Sequence, residues 1–247
     1  RECFSIVSFN CHGFNQGKEA LSSICNVLLP EVIFVQEHWL YSINNDELLK
    51  FSSNYMCYFS SAMEDIISRG ILRGRPFGGV ATFVRNDLVP YSKLVAKSDR
   101  FIAVCIGEAL FINIYGSSAN KKEDKMSVNS DLLAQLDEEL SQFSGMTNIL
   151  VGGDFNVDIR KDCDVSQIFK TFFVSHDLVP SINVVPYTTA YTYWHTSLGA
   201  CSTIDYFALP ERLCTFVLSN EVLDLEPNFS DHFPVMLTFN QQFAKDF

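Results

Sequence analysis

The sequence contains no CxxC pair, although it holds eight cysteines: Cys3, Cys11, Cys25, Cys57, Cys105, Cys163, Cys201 and Cys214. Thiols paired at that spacing mark structural zinc sites and thioredoxin-like redox sites, so both have little support. Several of the cysteines fall inside apolar runs, where a thiol is a small core residue. Free thiols in a reducing compartment are therefore expected, although the even count leaves disulfides open. No apolar run is long enough to span a bilayer, so no membrane partner is expected. The chain opens Arg1-Glu2-Cys3 and enters an apolar strand at once, so no secretory signal is expected. It has no initiator Met, which suggests a trimmed or excised domain. No internal repeat, low-complexity tract or linker interrupts it.

Positive charge is also scarce. There are 18 Lys and Arg against 29 Asp and Glu, a net charge of −11. Taken alone, this argues against a nucleic-acid partner, because phosphate contacts need cations. The cations are clustered, however: Arg69, Arg73 and Arg75 in one stretch, Lys121, Lys122 and Lys125 in a second, Arg160 and Lys161 in a third. The second and third clusters follow expected strand ends. Either they give an acidic body one basic face, or they are solvated loop charges.

What is present is a core. The 247 residues are 47% hydrophobic and 19% charged, which suits one large α/β domain or two small ones. Apolar runs predict strands at 4–9, 32–35, 55–59, 79–84, 101–106, 109–115, 148–151, 204–209, 216–222 and 233–239. Helical spacing marks 18–29, 46–51, 132–140 and 165–173. The stretches 60–77 and 121–129 read as polar loops, and 241–247 as a tail or the start of a linker after a single domain over 1–240. Strands outnumber helices and hairpins mix with strand–helix units. Mixed β-sheets packed face to face with helices outside are expected, an α/β sandwich.

Several polar residues sit at the ends of these strands. Asn10 ends the first, and Glu37 follows the buried run Val32–Val35. Either position suits a site residue in an α/β sheet. Asn10 alone also reads as a turn residue, and Glu37 alone as a solvated carboxylate. Asp154 and Asn156 follow a strand through Gly152-Gly153, where glycine permits close backbone approach. Asp205 lies inside a strand and needs a partner. His232, in Ser230-Asp231-His232, is the natural one, since such a pair fixes the tautomer and raises the imidazole pKa. Tyr115 ends a strand and reads either as a phosphate contact or as an edge aromatic. Between Thr192 and Ser202 lies a stretch with a Ser-Leu-Gly turn at its centre, expected to be a hairpin or compact loop. Its Tyr193 is expected to be a core aromatic.

These motifs, in this order, resemble the endonuclease/exonuclease/phosphatase superfamily over roughly Phe4 to Phe239. Within it they look most like the endonuclease domains of LINE-type (non-LTR) retrotransposons. That resemblance rests on Asn10 to Gly13, Gln36-Glu37, Asn113-Ile114-Tyr115, Gly153-Asp154-Phe155-Asn156, Tyr191-Thr192, Ile204-Asp205 and Ser230-Asp231-His232. It implies a four-layered sandwich of two packed sheets flanked by helices, with a divalent cation at one end. It further implies that Mg²⁺, with Mn²⁺ as an alternative, is held by Glu37, Asn10 and Asp231. Asp154 would activate water, and Asn156 and Tyr115 would hold the phosphate. His232, oriented by Asp205, would stabilise the transition state. Thr192 and Ser202 would contact the DNA backbone or support the site, and Arg73, Arg75, Lys121, Lys122, Trp194 and His195 would bind DNA. The implied activity nicks one strand of duplex DNA, leaving a 3′ hydroxyl to prime reverse transcription. The partners expected are duplex DNA and a fused reverse transcriptase, with the isolated domain a monomer. The expected location is nuclear after cytoplasmic synthesis. Position 12, where repair endonucleases of the superfamily carry an Asp, is His12, which argues against abasic-site activity. Gly116 to Asn120 also departs from the relatives' loop after the Tyr.

Overall fold

A computed structural model describes residues 3–41, 44, 46–70, 74–143, 145–195 and 197–245. Two six-stranded mixed sheets dominate it. The first has the order β13 (Val217–Val222), β14 (Val235–Asn240), β1 (Cys3–Asn10), β2 (Val32–Gln36), β4 (Val80–Arg85), β3 (Tyr55–Ser60). The second runs β5 (Ser92–Lys97), β6 (Phe101–Ile106), β7 (Ala109–Tyr115), β8 (Asn148–Asp154), β12 (Asp205–Pro210), β9 (Leu178–Pro180). Only β1–β2 and β7–β8 pair in parallel among the described strands.

The central strands are apolar without interruption because both their faces are covered. Phe4, Ile6, Val32 and Phe34 point between the sheets and meet Val104, Phe111, Leu150 and Phe207. On the outer face of the first sheet, Val7, Phe9, Ile33 and Val35 pack under α1 (Phe14–Ser23) through Phe14, Ala20 and Leu21. On the outer face of the second, Leu110, Ile112 and Ile114 pack under α4 (Lys122–Gln142) and α5 (Asp164–Ser175), through Leu132, Leu136, Phe169 and Phe173. Three apolar seams thus bind four layers, as expected.

A buried amide pair crosses the middle seam. Gln36 Nε2 donates to Asn113 Oδ1 at 2.7 Å, and Asn113 Nδ2 donates to the carbonyls of Val35 at 3.1 Å and Ala81 at 2.8 Å. Both side chains are fully buried, so these bonds satisfy groups that would otherwise be costly to bury.

Five elements differ from expectation. The polar stretch 121–129 is mostly the start of α4, whose Glu123 and Asp124 suit the positive end of a helix dipole. The 60–77 stretch contains a short helix, α3 (Glu64–Ser68). The strands β5 and β9 carry too little apolar pattern to be foreseen; they lie at the two edges of their sheet. Residues 241–245, expected as a tail, form a helix whose Phe243 is buried and stacks on Phe239 with ring centroids 4.1 Å apart.

Candidate active site

The ends of the central strands converge. Register places Asn10 beside Gln36, Tyr115 beside Asp154, and Asp154 beside Asp205. The loops after β1 and β2 are zipped together: Gly13 N–H donates to Glu37 O at 2.7 Å and Phe14 N–H to His38 O at 3.0 Å. Gly153, at φ 145°, lets β8 approach β7 closely, since a Cβ there would lie 2.0 Å from Ile114 O. Asp154 is thereby delivered next to Tyr115.

Two groups of side chains meet at this end. In the first, Asn10 Nδ2 bridges two carboxylates, at 2.9 Å from Glu37 Oε1 and 2.8 Å from Asp154 Oδ2. Tyr115 donates its hydroxyl to Glu37 Oε1 at 2.9 Å. Asn156 donates to Asp154 through its side chain at 2.9 Å and its backbone N–H at 2.8 Å. Asn10 thus faces the carboxylates with its amide nitrogen, while its Oδ1 accepts from His12 N–H at 3.0 Å. In this arrangement it organises the acidic cluster and offers it no oxygen, contrary to the ligand role expected for it.

In the second group, His232 Nδ1 lies 3.0 and 3.1 Å from the two Asp205 oxygens. Its Nε2 points at Asp154 Oδ2, 3.9 Å away. All three residues are buried. Burial disfavours the imidazolium, but the charges of Asp205 and Asp154 outweigh it and raise the His232 pKa to about 10. The Asp154 pKa is raised to about 7, by burial and then by the Asp205 charge. His12 Nδ1 sits 3.0 Å from Asp231 Oδ1, and that contact raises its pKa while Asp231's is lowered despite burial.

Asp154, Asp205 and His232 place ligand atoms within 4.8 Å of one another. That trio is a poor cation site, because His232 Nδ1 is engaged by Asp205 and the imidazole carries the proton. The donor set that fits a hard divalent cation is carboxylate oxygen. Glu37 and Asp231 would supply it beside Asp154, whose own oxygens are taken up by Asn10 and Asn156.

The structure redistributes several expected roles. Thr192 is fully buried, which fits the supporting role expected as its alternative and not the DNA contact. Its Oγ1 donates to Asp205 Oδ2 at 2.7 Å and accepts from the backbone N–H of Ile204 and of Asp205, each at 3.1 Å, so it fixes the carboxylate that holds His232. Tyr193 is not a core aromatic: it is half-buried with its ring 4.8 Å from that of His232. It opens a hairpin of β10 (Tyr193–His195) and β11 (Ala200–Ser202), as expected for this stretch. Trp194 backbone N–H donates to Asp231 O at 2.8 Å, so the hairpin is docked on the Ser-Asp-His turn while Trp194 as a residue is 39% exposed. Ser202, at the hairpin's base, lines a groove of about 470 Å³ with Asn156, Lys122, Lys125 and Lys161.

Lys122 borders that groove but is ion-paired with Asp164. Lys121 is exposed at the N-cap of α4. The Arg75 guanidinium stands 6.0 Å above the ring of Trp39, the residue whose indole N–H bonds Glu37. Arg73 lies outside the described residues. Sequence reasoning passed over Trp39 and the placement of Lys125. Only the position of Trp39, two residues after Glu37, hinted at a role.

No curated protein sequence matches the chain. Solved structures of similar fold include the AP endonuclease LMAP from Leishmania major, with TM-score 0.76 and 14% identity, covering 97% of this chain and 88% of that one. Another is the 3′ phosphatase NExo from Neisseria bound to product DNA hairpin, with TM-score 0.73 and 18% identity, covering 96% and 99%. A third is an AP endonuclease from Archaeoglobus fulgidus, with TM-score 0.72 and 17% identity, covering 96% and 99%. The profile of the Endonuclease/Exonuclease/phosphatase family matches residues 7–232, the span from the middle of β1 to His232. The chain belongs to the endonuclease/exonuclease/phosphatase family.

Proposed function

We propose that this metal-dependent phosphodiester hydrolase is an endonuclease that nicks one strand of duplex DNA and leaves a 3′ hydroxyl. The observation that carries the proposal is the His232–Asp205 pair set against Asp154 and the Glu37 cluster. A protonated imidazole faces a carboxylate across 3.9 Å, with acidic oxygens on the other side.

The residues divide the work as follows. Asp154, aligned by Asn10 and Asn156, accepts the proton of the attacking water. His232, kept cationic by Asp205, lies where negative charge develops on the phosphoryl oxygens. Asp205 is itself locked by Thr192. Glu37 and Asp231 hold Mg²⁺, with Mn²⁺ as an alternative. When bound, the cation polarises the phosphate and stabilises the leaving oxygen. Tyr115 and Asn10 keep Glu37 in place.

Duplex DNA is the proposed partner. An exposed Trp194 on a hairpin tied to the catalytic turn suits groove contact, with His195 on the same hairpin and Arg75 and Lys121 as exposed cations. By its motifs the domain serves a LINE-type retrotransposon, fused to a reverse transcriptase and working in the nucleus. The test is incubation with supercoiled plasmid, with and without Mg²⁺. Metal-dependent conversion to open circle, with ends a polymerase extends, is the expected result. Release of phosphate from 3′-phosphorylated ends without plasmid nicking would overturn the proposal, as would cleavage confined to abasic sites.

A further inference from the structure

We propose that Trp39 is a positioning residue for the cation site, holding the second carboxylate oxygen of Glu37 through its indole N–H. This rests on the cation role given above to Glu37.

Glu37 lies beyond the end of β2, half-buried, at φ 55°. Nothing in the sheet ladder fixes its side chain. Its Oε1 accepts from Asn10 and Tyr115, both at 2.9 Å. Those two bonds leave the carboxylate able to swing about Oε1. The Trp39 indole Nε1–H donates to Oε2 at 3.1 Å and stops that rotation. A carboxylate fixed at both oxygens presents its remaining lone pairs in set directions, as a cation with strict geometry requires.

The indole is itself held on several sides. Trp39 sits at φ 56°, a left-handed conformation that a residue with a Cβ seldom adopts. Its backbone N–H donates to Gly78 O at 3.0 Å, while Glu37 N–H donates to Gly79 O at 2.8 Å. Between them, His38 is buried and neutral in character: it accepts from Leu40 N–H at Nδ1 and donates to Ser60 O from Nε2, both at 3.0 Å. The six-membered edge of the indole lies over Gly13, where a Cβ would come within 2.5 Å of Cε3. The His12 ring packs at 5.0 Å and the Arg75 guanidinium at 6.0 Å. A backbone held in an uncommon conformation by this many contacts points to a site constraint. The constraint serves the one polar bond the indole makes, the bond to Glu37.

The proposal is tested with the folded domain and Mn²⁺, following free Mn²⁺ by electron paramagnetic resonance. Trp39→Phe keeps the ring and loses the donor. Its Mn²⁺ dissociation constant is expected to rise about tenfold, the usual size of an outer-shell effect on metal affinity. Glu37→Gln is measured alongside and is expected to bind more weakly still. A Trp39→Phe value within about twofold of wild type, with Glu37→Gln impaired, overturns the inference alone, since outer-shell partners act more strongly than that. If Glu37→Gln also binds as wild type does, the cation role of Glu37 falls and the inference with it. A second measurement needs no change at position 39. The chain has two tryptophans, so Trp194→Phe leaves Trp39 as the sole tryptophan emitter. Its fluorescence is expected to change with added Mn²⁺, saturating with the constant found by resonance. An emission that ignores Mn²⁺ while the ion binds overturns the proposal, and this decides the matter if Trp39→Phe does not fold.

Discussion

Replacing Asp205 by Asn deletes one negative charge from a buried pair and keeps its shape. In the native site, burial pushes the His232 pKa down, while Asp205 and Asp154 push it up further, to about 10. The imidazole is therefore cationic at neutral pH. In Asp205→Asn, Thr192 still donates to the oxygen of the new amide, which turns the NH₂ toward His232 Nδ1. That favours a neutral ring with Nδ1 as acceptor. Burial then acts with its main counterweight gone, and the pKa falls to the ordinary value of about 6.5 or lower. At about pH 7.5 the protonated fraction is then roughly 0.1 or less, which costs about 10- to 100-fold in kcat, or about 1–3 kcal/mol. Plasmid nicking at saturating Mg²⁺, followed from about pH 5.5 to 8.5, tests this across the range where the variant imidazole titrates. The variant also frees Asp154 from the Asp205 charge that helps raise its pKa, so the proposed base deprotonates at lower pH and shifts the ratio of variant to wild-type rate in the same direction. That ratio should climb toward acid pH, the His232 titration alone contributing up to about tenfold per unit. A large loss with a ratio flat in pH would refute the reasoning, because Asp205 would then matter for placement and not for charge.

Four further outcomes follow from the same geometry. Glu37→Gln should keep the fold by circular dichroism and lose nearly all nicking at limiting Mg²⁺, since a neutral amide is a poor ligand for a hard cation. Stability should fall as pH rises from about 6.5 to about 10, because across that window the folded state keeps the His232 proton that the unfolded chain has released. The contribution is complete below about pH 6.5, and His232→Gln should flatten that part of a urea-denaturation pH series. Phe243→Ala should cost about 3–5 kcal/mol of unfolding free energy, the usual range for a buried aromatic, whereas a frayed tail would show no change. Neutralising Lys125 and Lys161, which line the groove beside Asn156, should lower the salt slope of DNA binding by roughly two. Salt-dependent binding isotherms with unchanged slope would return both lysines to the role of solvated charges.

Most strands of the two sheets were legible because their central members are buried on both faces and read as apolar runs. The edge strands β5 and β9 were not, because a strand with one covered face or only three residues leaves no such run. The residues of the candidate site were legible as polar groups placed abruptly at the ends of apolar strands: Asn10, Glu37, Tyr115, Asp154. What holds them in place was not. Thr192 reaches Asp205 across 13 residues and Asn10 reaches Asp154 across 144, and one sequence records neither distance. Tyr193 was misplaced for a related reason. A half-buried aromatic beside an imidazole has the same local sequence as one in a core. Phe243 was hidden by its neighbours, since a single large apolar residue in five gives no period to detect.

The amide pair Gln36–Asn113 has a consequence for how activity emerges during folding. Asn10, Glu37 and His232 arrive from the first sheet and its loops, while Tyr115, Asp154 and Asp205 arrive from the second. Either sheet alone carries half a catalyst. The halves engage only when the sheets dock, and two interlocking amides buried in the seam penalise any docking that is shifted by a residue, since each would lose its partners there. A refolding chain should therefore regain strand signal before nicking, and the return of nicking should coincide with the locking of one sheet against the other.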